Sequence, residues 1–464
     1  MKSIKIPNVL KKMYIFFEQS NYQAYLVGGA VRDILQGKNV SDWDVATDAT
    51  PEQISILFNR VIPTGIAHGT VTVLFMGHKI EVTTFRKEYG YTDGRHPDKI
   101  EFGKDLKADL SRRDFTMNAI AASLKDGTLV DPFNGQNDIK SKIIRTVGNP
   151  NLRFSEDGLR PVRAVRFAAQ LNFTIEENTL KAIPYALDKT ATISVERFHD
   201  EFIKLLSAEK PSQGLILMEK TGILNLFLAE LVQCRNIKQT DCRGIHKFDV
   251  LDHLFFACDG APKEKINVRL AALFHDIGKP VAKRIEQRNG QQIITFYNHE
   301  FRSEEICHKI MTRLRFPKNQ IEYVCHLVKN HMFHYESNWS DAAVRRFLVR
   351  VTPEALEDLF DLRIADVYGM TATAPILKEG PWVANLLELK DRIQYIIEKN
   401  TALCLKDLAI NGKDLIQIGI SPGKQIGQIL MHLMETVLDD PECNTRDRLL
   451  EIAKKLNQNQ ISCK

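Results

Sequence analysis

Two neighbouring stretches decide the reading of this chain: Leu26-Val27-Gly28-Gly29-Ala30-Val31-Arg32-Asp33 and Asp42-Trp43-Asp44-Val45-Ala46. The apolar run from Ala24 to Val27 reads as a strand that passes through two glycines into a helix. Glycines at such a turn, Gly29 among them, let backbone N–H groups come close to a phosphate at the positive end of the helix. Arg32, one turn further on, can reach the same anion. In the second stretch, a strand sets residues i and i+2 on one face. Asp42 and Asp44 then lie side by side, and two such charges repel unless a cation sits between them. Carboxylate oxygens suit Mg²⁺. Ions held there can activate an attacking hydroxyl and stabilise a leaving pyrophosphate.

Working outward, Thr70 to Phe75 and Ile80 to Phe85 alternate on either side of Met76-Gly77-His78-Lys79, which predicts a hairpin. Glu81 lies on its returning strand as a candidate third carboxylate. Leu10 to Phe17 reads as a helix. Arg86 to Lys99 is polar, carries Gly90, Gly94 and Pro97, and reads as a loop. Beyond Asn149-Pro150 strand signals nearly vanish, except for a hairpin around Asn289-Gly290. The expected class is α+β: a head with a small mixed sheet and helices, then an all-α body and tail. At ~150 residues per domain, the length suggests about three domains. The pattern divides more finely, into 1–149, 150–240, 241–371 and 372–464.

Composition narrows the class. With 44% hydrophobic and 26% charged residues, the chain is neither fibrous nor wholly disordered. No apolar run approaches the ~18 residues of a membrane helix, and Met1-Lys2-Ser3-Ile4-Lys5 lacks the apolar core of a signal peptide. The expectation is a cytoplasmic protein with no membrane partner. A net charge of +5, from 63 basic and 58 acidic residues, permits a nucleic-acid partner without demanding one. The eight cysteines begin at Cys234 and form no C-x-x-C pair, against a zinc ribbon or a secreted disulfide scaffold.

The order Leu26-Val27-Gly28-Gly29-x-Val31-Arg32-Asp33, Asp42-x-Asp44 and Glu81-Val82-Thr83-Thr84-Phe85-Arg86 resembles the bacterial class II tRNA nucleotidyltransferase/poly(A) polymerase family. Members have a DNA-polymerase-β-like head and add nucleotides to RNA 3′ ends without a nucleic-acid template. The stretch Asp109-Leu110-Ser111-Arg112-Arg113-Asp114 resembles the family's ribose- and triphosphate-handling motif. The resemblance makes Arg113 a triphosphate contact. Asp114 would accept a hydrogen bond from a sugar hydroxyl or orient an arginine.

Next comes Arg153-Phe154-x-Glu156-Asp157-x-Leu159-Arg160-x-x-Arg163-Ala164-x-Arg166-Phe167. On one helix, Asp157, Arg160, Arg163 and Arg166 share a face, and the three arginines repel without an anion. A triphosphate or RNA backbone would supply one. In the family this motif recognises the base. Asp157 and Arg160 match the residues that offer an acceptor and donors to its Watson–Crick edge. Arg163 and Arg166 match nucleotide-contacting arginines, and Glu156 is a further base or ribose candidate. Ile193-Ser194-x-Glu196-Arg197-x-x-x-Glu201-Phe202 resembles the neck helix, with a structural role and Ser194 as its cap.

His253, His275-Asp276 and Asp366 follow the order H…HD…D and resemble an HD phosphohydrolase domain. Imidazole and carboxylate suit a divalent metal, and His299 and His331 are candidate ligands for a second ion. In the tail, Gly419-Ile420-Ser421-Pro422-Gly423 precedes a helix and either holds an RNA phosphate or only packs.

The resemblance implies CCA addition to tRNA from CTP and ATP with Mg²⁺. It implies a second divalent metal and a phosphohydrolase side activity in the HD region, and no obligate protein partner. Alternatives are an A-adding enzyme or poly(A) polymerase, an HD phosphohydrolase with an RNA-binding front half, and a nucleotide-sensing protein without turnover. His96, in the polar loop, stands where many CCA-adding members carry a second basic residue.

Overall fold

The computed structural model describes residues 2–90, 99–239, 247–288, 291–373, 381–399 and 402–461. Loop residues 91–98 with His96, the segments 240–246 and 374–380 near two expected boundaries, and the turn 289–290 lie outside the described residues. The chain divides into two compact units. One is Met1–Arg235 with Ile310–Phe316; the other is Asn236–Lys309 with Pro317–Lys464.

The first unit holds strands β1 (Ala24–Val27), β2 (Trp43–Thr47), β3 (Val61–Gly65), β4 (Thr70–Phe75), β5 (His78–Thr84), β6 (Arg86–Tyr89), β7 (Lys99–Phe102), β8 (Ala121–Ser123) and β9 (Leu129–Val130). Seven of them form one sheet in the order β3-β4-β5-β2-β1-β8-β9. β2 and β5 run parallel at its centre, while β1 is antiparallel to both β2 and β8. One face buries Leu26, Val45, Val71, Val73, Ile80 and Val82 against Leu10, Met13 and Phe17 of helix Asn8–Gln19. Those helical positions recur at the spacing of a single stripe. The other face carries a second cluster, with Val27, Ala46, Phe85, Leu110 and Ala121. Asp44 points to this second face, because it lies two residues from Ala46.

The β4–β5 hairpin closes through Met76 and Gly77 alone, at φ 49° and 81°. Paired positive φ values match the right-handed strand twist, and His78 therefore already belongs to β5. The polar loop is a loop only in part. Its flanks pair as the antiparallel strands β6 and β7, with Arg86 opposite Phe102 and Tyr89 opposite Lys99. Beyond residue 140 there is also a short parallel pair that the sequence pattern did not signal, Ile143–Ile144 with Thr174–Ile175.

The segment expected as one helix is two, Pro150–Glu156 and Leu159–Leu171. Asp157 between them is extended, at φ −140° and ψ 113°. The break is stabilised on both sides. Asn149 caps the first helix by accepting from the Asn151 and Leu152 amides. Asp157 accepts from the Leu159 amide at 3.0 Å. Gly158 lets the chain turn here, since a Cβ on it would lie 2.4 Å from the Lys189 carbonyl oxygen. The neck helix is Val195–Leu206, and Ser194 caps it by accepting from the Arg197 amide.

Among the described residues, the second unit is helical apart from the hairpin Arg284–Arg288 with Gln291–Thr295. Helices Val250–Gly260, Ile266–Phe274, Lys318–Asn330 and Leu356–Thr371 build its first part. Leu415, Ile429, Leu433, Val437, Leu449 and Ala453 form a separate core in the tail. Cys234, Cys258, Cys307 and Cys325 are buried thiols. Among the described residues, no helix is long and apolar enough to cross a membrane.

Gly158→Ala should force the Asp157 turn away from Lys189. We expect a loss of about 1–3 kcal/mol, read as a lower urea midpoint with an unchanged slope.

Candidate active site

The centre of the sheet builds the first site. Parallel pairing sets Asp44 directly opposite Glu81, as Trp43 is opposite Ile80. Aligned residues of neighbouring strands share a face, so both carboxylates emerge together. Asp42, immediately before β2, adds a third. Burial, then Glu81, raises the Asp44 carboxyl to about 6; Arg113 opposes the rise and Asp42 adds to it. A carboxyl raised by burial and by acidic neighbours is one that a divalent cation would stabilise in the charged form. The all-oxygen donor set fits Mg²⁺.

Gly28 brings β1 up against this group. Its φ of 71° and ψ of −141° exclude a side chain, and a Cβ there would lie 3.3 Å from both Asp44 Oδ2 and Arg113 Nη1. Arg112 and Arg113 share a single buried carboxylate, Asp109, at 2.7 and 3.4 Å. Arg113 lies beside the acidic trio, where it opposes the rise in the Asp44 pKa. Arg113 Nε is buried and finds no hydrogen-bond partner among the described residues. An anion lying over Gly28 would meet Arg113 Nη1.

Arg32 sits differently from the sequence reading. Its guanidinium is buried and pairs with Asp33 through Nε and Nη2, each at 2.9 Å, and with Asn118 through Nη1 at 2.9 Å. Gly29 lies beneath it, with Arg32 Nη2 3.4 Å from the position of an added Cβ.

The arginines of the second helix are also already neutralised, which corrects the expectation that only a bound anion could balance them. Arg163 donates from Nε and Nη2 to Asp114 Oδ2 at 2.8 and 2.6 Å. Arg166 donates to Glu201 at 2.7 Å, and Arg163 approaches the same carboxylate at 3.7 Å. Arg160 pairs with Glu156 and donates to the Arg153 and Arg112 carbonyls at 2.8 and 3.0 Å. Asp157 is off this helical face and accepts from Arg197 at 2.8 Å. The ring of Phe167 collects three guanidiniums, those of Arg32, Arg163 and Arg166, at 5.1, 5.3 and 3.5 Å from its centre.

Glu201, Arg197 and Asp109, which lie in the quoted motifs without a site role there, and Asn118 thus belong to the site. An acid's partner tens of residues away is invisible to spacing. One trace existed: Glu201 falls on the apolar side of the neck helix, between Phe198, Phe202 and Leu205, which are all buried.

The second unit gathers all six histidine and aspartate candidates. His253 Nε2 lies 3.1 Å from His275 Nε2 and 3.3 Å from both Asp276 Oδ2 and Asp366 Oδ1. On its other oxygen, Asp276 Oδ1 lies 2.9 Å from His299 Nε2 and 3.6 Å from His331 Nε2. His275, His299 and His331 each direct Nδ1 to a backbone carbonyl three residues back, of Ala272, Phe296 and Val328, at 2.7 to 2.9 Å. Those contacts fix the rings with Nε2 facing inward, as in metal sites. His253, His275 and Asp366 form one group of metal-ligand geometry, and His275, Asp276 and His331 a second. Burial lowers the His275 pKa, but Asp276 and Asp366 more than reverse this, raising it to about 10. Burial would raise the Asp276 carboxyl, but Lys279, 2.5 Å away, and His275 hold it well below the usual carboxylate range. The donor set fits a divalent metal.

Asp114 connects the site to stability. Burial would raise its pKa; Arg163, Asn118 and the Phe115 amide outweigh burial and bring it from 3.8 to about 2. A depressed carboxylate stabilises the fold above its unfolded value, and that contribution disappears as pH falls through the folded value. We expect about 2 kcal/mol to be lost between roughly pH 4 and 2. Urea titrations across that range should be flatter for Asp114→Asn, which should already be less stable at pH 7.

Comparison with known proteins gives the family. Residues 24–145 match the poly A polymerase head domain, 172–234 the RNA and SrmB-binding site of polymerase A, and 286–453 tRNA nucleotidyltransferase domain 2. A CCA-adding enzyme of Levilactobacillus brevis is 50% identical over 206 residues, 44% of this chain and 52% of that protein. That of Pediococcus pentosaceus is 35% identical over 95% of this chain and 96% of its own length. The crystal structure of the Bacillus stearothermophilus CCA-adding enzyme in complex with CTP superposes with a TM-score of 0.72 at 27% identity, covering 98% of each chain. With sequence likeness running end to end and the fold shared over the same length, this chain belongs to the CCA-adding enzyme family of tRNA nucleotidyltransferases.

Proposed function

We propose that the chain adds C, C and then A to the 3′ end of tRNA, using CTP and ATP without a nucleic-acid template. The observation that carries this reading is the alignment of Asp44 with Glu81 beside Gly28 and Arg113, in a chain of this family. The RNA 3′-hydroxyl oxygen bonds to the α-phosphorus of the nucleotide. The bond from that phosphorus to the bridging oxygen breaks, and pyrophosphate leaves. Asp42 and Asp44, with Glu81 as a third carboxylate, would hold Mg²⁺, which when bound offsets negative charge at the reacting phosphate. Arg113 takes the triphosphate over the Gly28-Gly29 turn. Arg32 acts through the turn it braces.

Asp157 and Arg160 read the base, with Glu156 and Arg197 holding them in place; Arg163 and Arg166 back them. The segments 1–149, 150–240, 241–371 and 372–464 divide this work into catalysis, nucleotide selection, the histidine–aspartate centre and RNA binding. Contacts to tRNA would read its shape and backbone.

A gel assay on tRNA lacking its last three nucleotides tests the reading, with CTP, ATP and both. Two C and then one A should appear. Addition of A only to tRNA already ending in CC would make this an A-adding enzyme, and a long A tail would make it a poly(A) polymerase. Asp42→Ala should abolish addition; product at the wild-type rate would refute the metal assignment.

The histidine–aspartate cluster supports a second activity on the same chain. His253, His275, Asp276 and Asp366 would hold a divalent metal, with His299 and His331 for another, and would hydrolyse a phosphate ester. Inward-facing Nε2 atoms around Asp276 carry this reading. Metal content should fall in Asp366→Asn, measured by mass spectrometry on chelator-washed and reloaded protein. Phosphatase activity should fall with it while CCA addition persists. Unchanged metal content in that variant would exclude the cluster as a metal centre.

A further inference from the structure

We infer that Glu201, on the neck helix, is a positioning residue that holds the nucleotide-selecting helix in register with the glycine turn. The inference rests on the proposed role of that helix in choosing the base. Glu201 is 3% exposed and meets cations from two turns of helix Leu159–Leu171, Arg166 at 2.7 Å and Arg163 at 3.7 Å. From there the contacts continue without a gap. Arg163 holds Asp114 Oδ2. Asp114 Oδ1 accepts from the Asn118 amide group at 3.1 Å, and the Asn118 oxygen accepts from Arg32 at 2.9 Å. Arg32 closes the line on Asp33, in the helix that begins at Gly29. Four separate elements are thereby joined: neck helix, selecting helix, the Asp114–Asn118 segment and the glycine turn.

Each arginine along this line has its own acid, and Lys204, 3.4 Å away, is a further cation on Glu201. Arg32, Arg163 and Arg166 face Asp33, Asp114 and Glu201. All three guanidiniums surround Phe167. Without the Glu201 charge, Arg163 and Arg166 lie on neighbouring turns with Asp114 as the strongest remaining acid between them. Like charges at that spacing repel, and Arg166 then competes for the carboxylate that orients Arg163 and Asn118. The selecting helix would shift relative to the turn. Shifts near 1 Å are enough to misalign reacting atoms. Glu201 touches neither nucleotide nor metal in this reading; it acts through Arg163 and Asp114.

The test compares Glu201→Gln, Glu201→Asp and Asp157→Ala in full-length protein, with single-nucleotide addition to tRNA transcripts. Glu201→Gln keeps the shape and removes the charge. We expect kcat for C and A addition to fall ~10- to 100-fold, with KM for CTP little changed and discrimination against UTP and GTP reduced. Glu201→Asp, which restores the charge, should recover part of kcat and of the discrimination. A folded Glu201→Gln protein with wild-type kcat and discrimination would overturn the inference. If that variant does not fold, Glu201→Asp decides through reach, because one methylene less draws the carboxylate back from Arg166 and Arg163, and wild-type kcat and discrimination there overturn the inference. Asp157→Ala separates the two layers. Unrelaxed nucleotide choice in Asp157→Ala would reject the base-selection reading itself. Relaxed choice there, with normal choice in Glu201→Gln, would reject only the role of Glu201.

Discussion

The two-donor contact of Arg163 on Asp114 Oδ2 is the constraint on which the first unit depends. It ties helix Leu159–Leu171 to the segment that also supplies Arg112 and Arg113. A buried ion pair of this kind adds little net stability over an apolar contact, but removing one partner is costly, because the other charge stays buried. Such a pair fixes geometry more than it stabilises. That is what a site must have if a helix in one place reads the base and a strand in another holds the reacting phosphate.

The two sites handle crowded charge in different ways. Around Phe167 the arginines and acids balance within the protein, so the scaffold needs no ligand to be stable. At the sheet centre they do not balance. Asp42, Asp44 and Glu81 face outward together, and Arg113, which also reaches Asp109, is the cation that opposes the rise in the Asp44 pKa. Ligand binding therefore has the most to gain there. The histidine–aspartate cluster is intermediate. Lys279 pairs with Asp276 and Arg363 with Asp366. A metal takes the histidines as neutral imidazoles, so metal affinity should be linked to pH.

Local patterns were the legible part of the fold. Ala24–Val27, the β4–β5 hairpin and the Ser194 cap each follow from residues within one turn or one strand of each other. The break at Asp157 was hidden because the arginine spacing alone fits a continuous helix. Only the approach of Gly158 to the Lys189 carbonyl reveals why the chain turns there. The pairing of β6 with β7 was hidden by a polar composition that reads equally well as a loop.

What the sequence by itself determined is the inventory and its local geometry: which stretches carry carboxylates at strand spacing, arginines at helical spacing, and histidines in the order of a metal centre. Only the tertiary structure decided the partners. It put Glu81 opposite Asp44, gave Arg160 to Glu156 and Asp157 to Arg197, and brought Glu201 onto Arg163 and Arg166. The physical reason is range. Backbone periodicity acts over a few residues and can be read along the chain. A buried charge must find its counter-charge wherever packing brings one, and that choice is made in three dimensions.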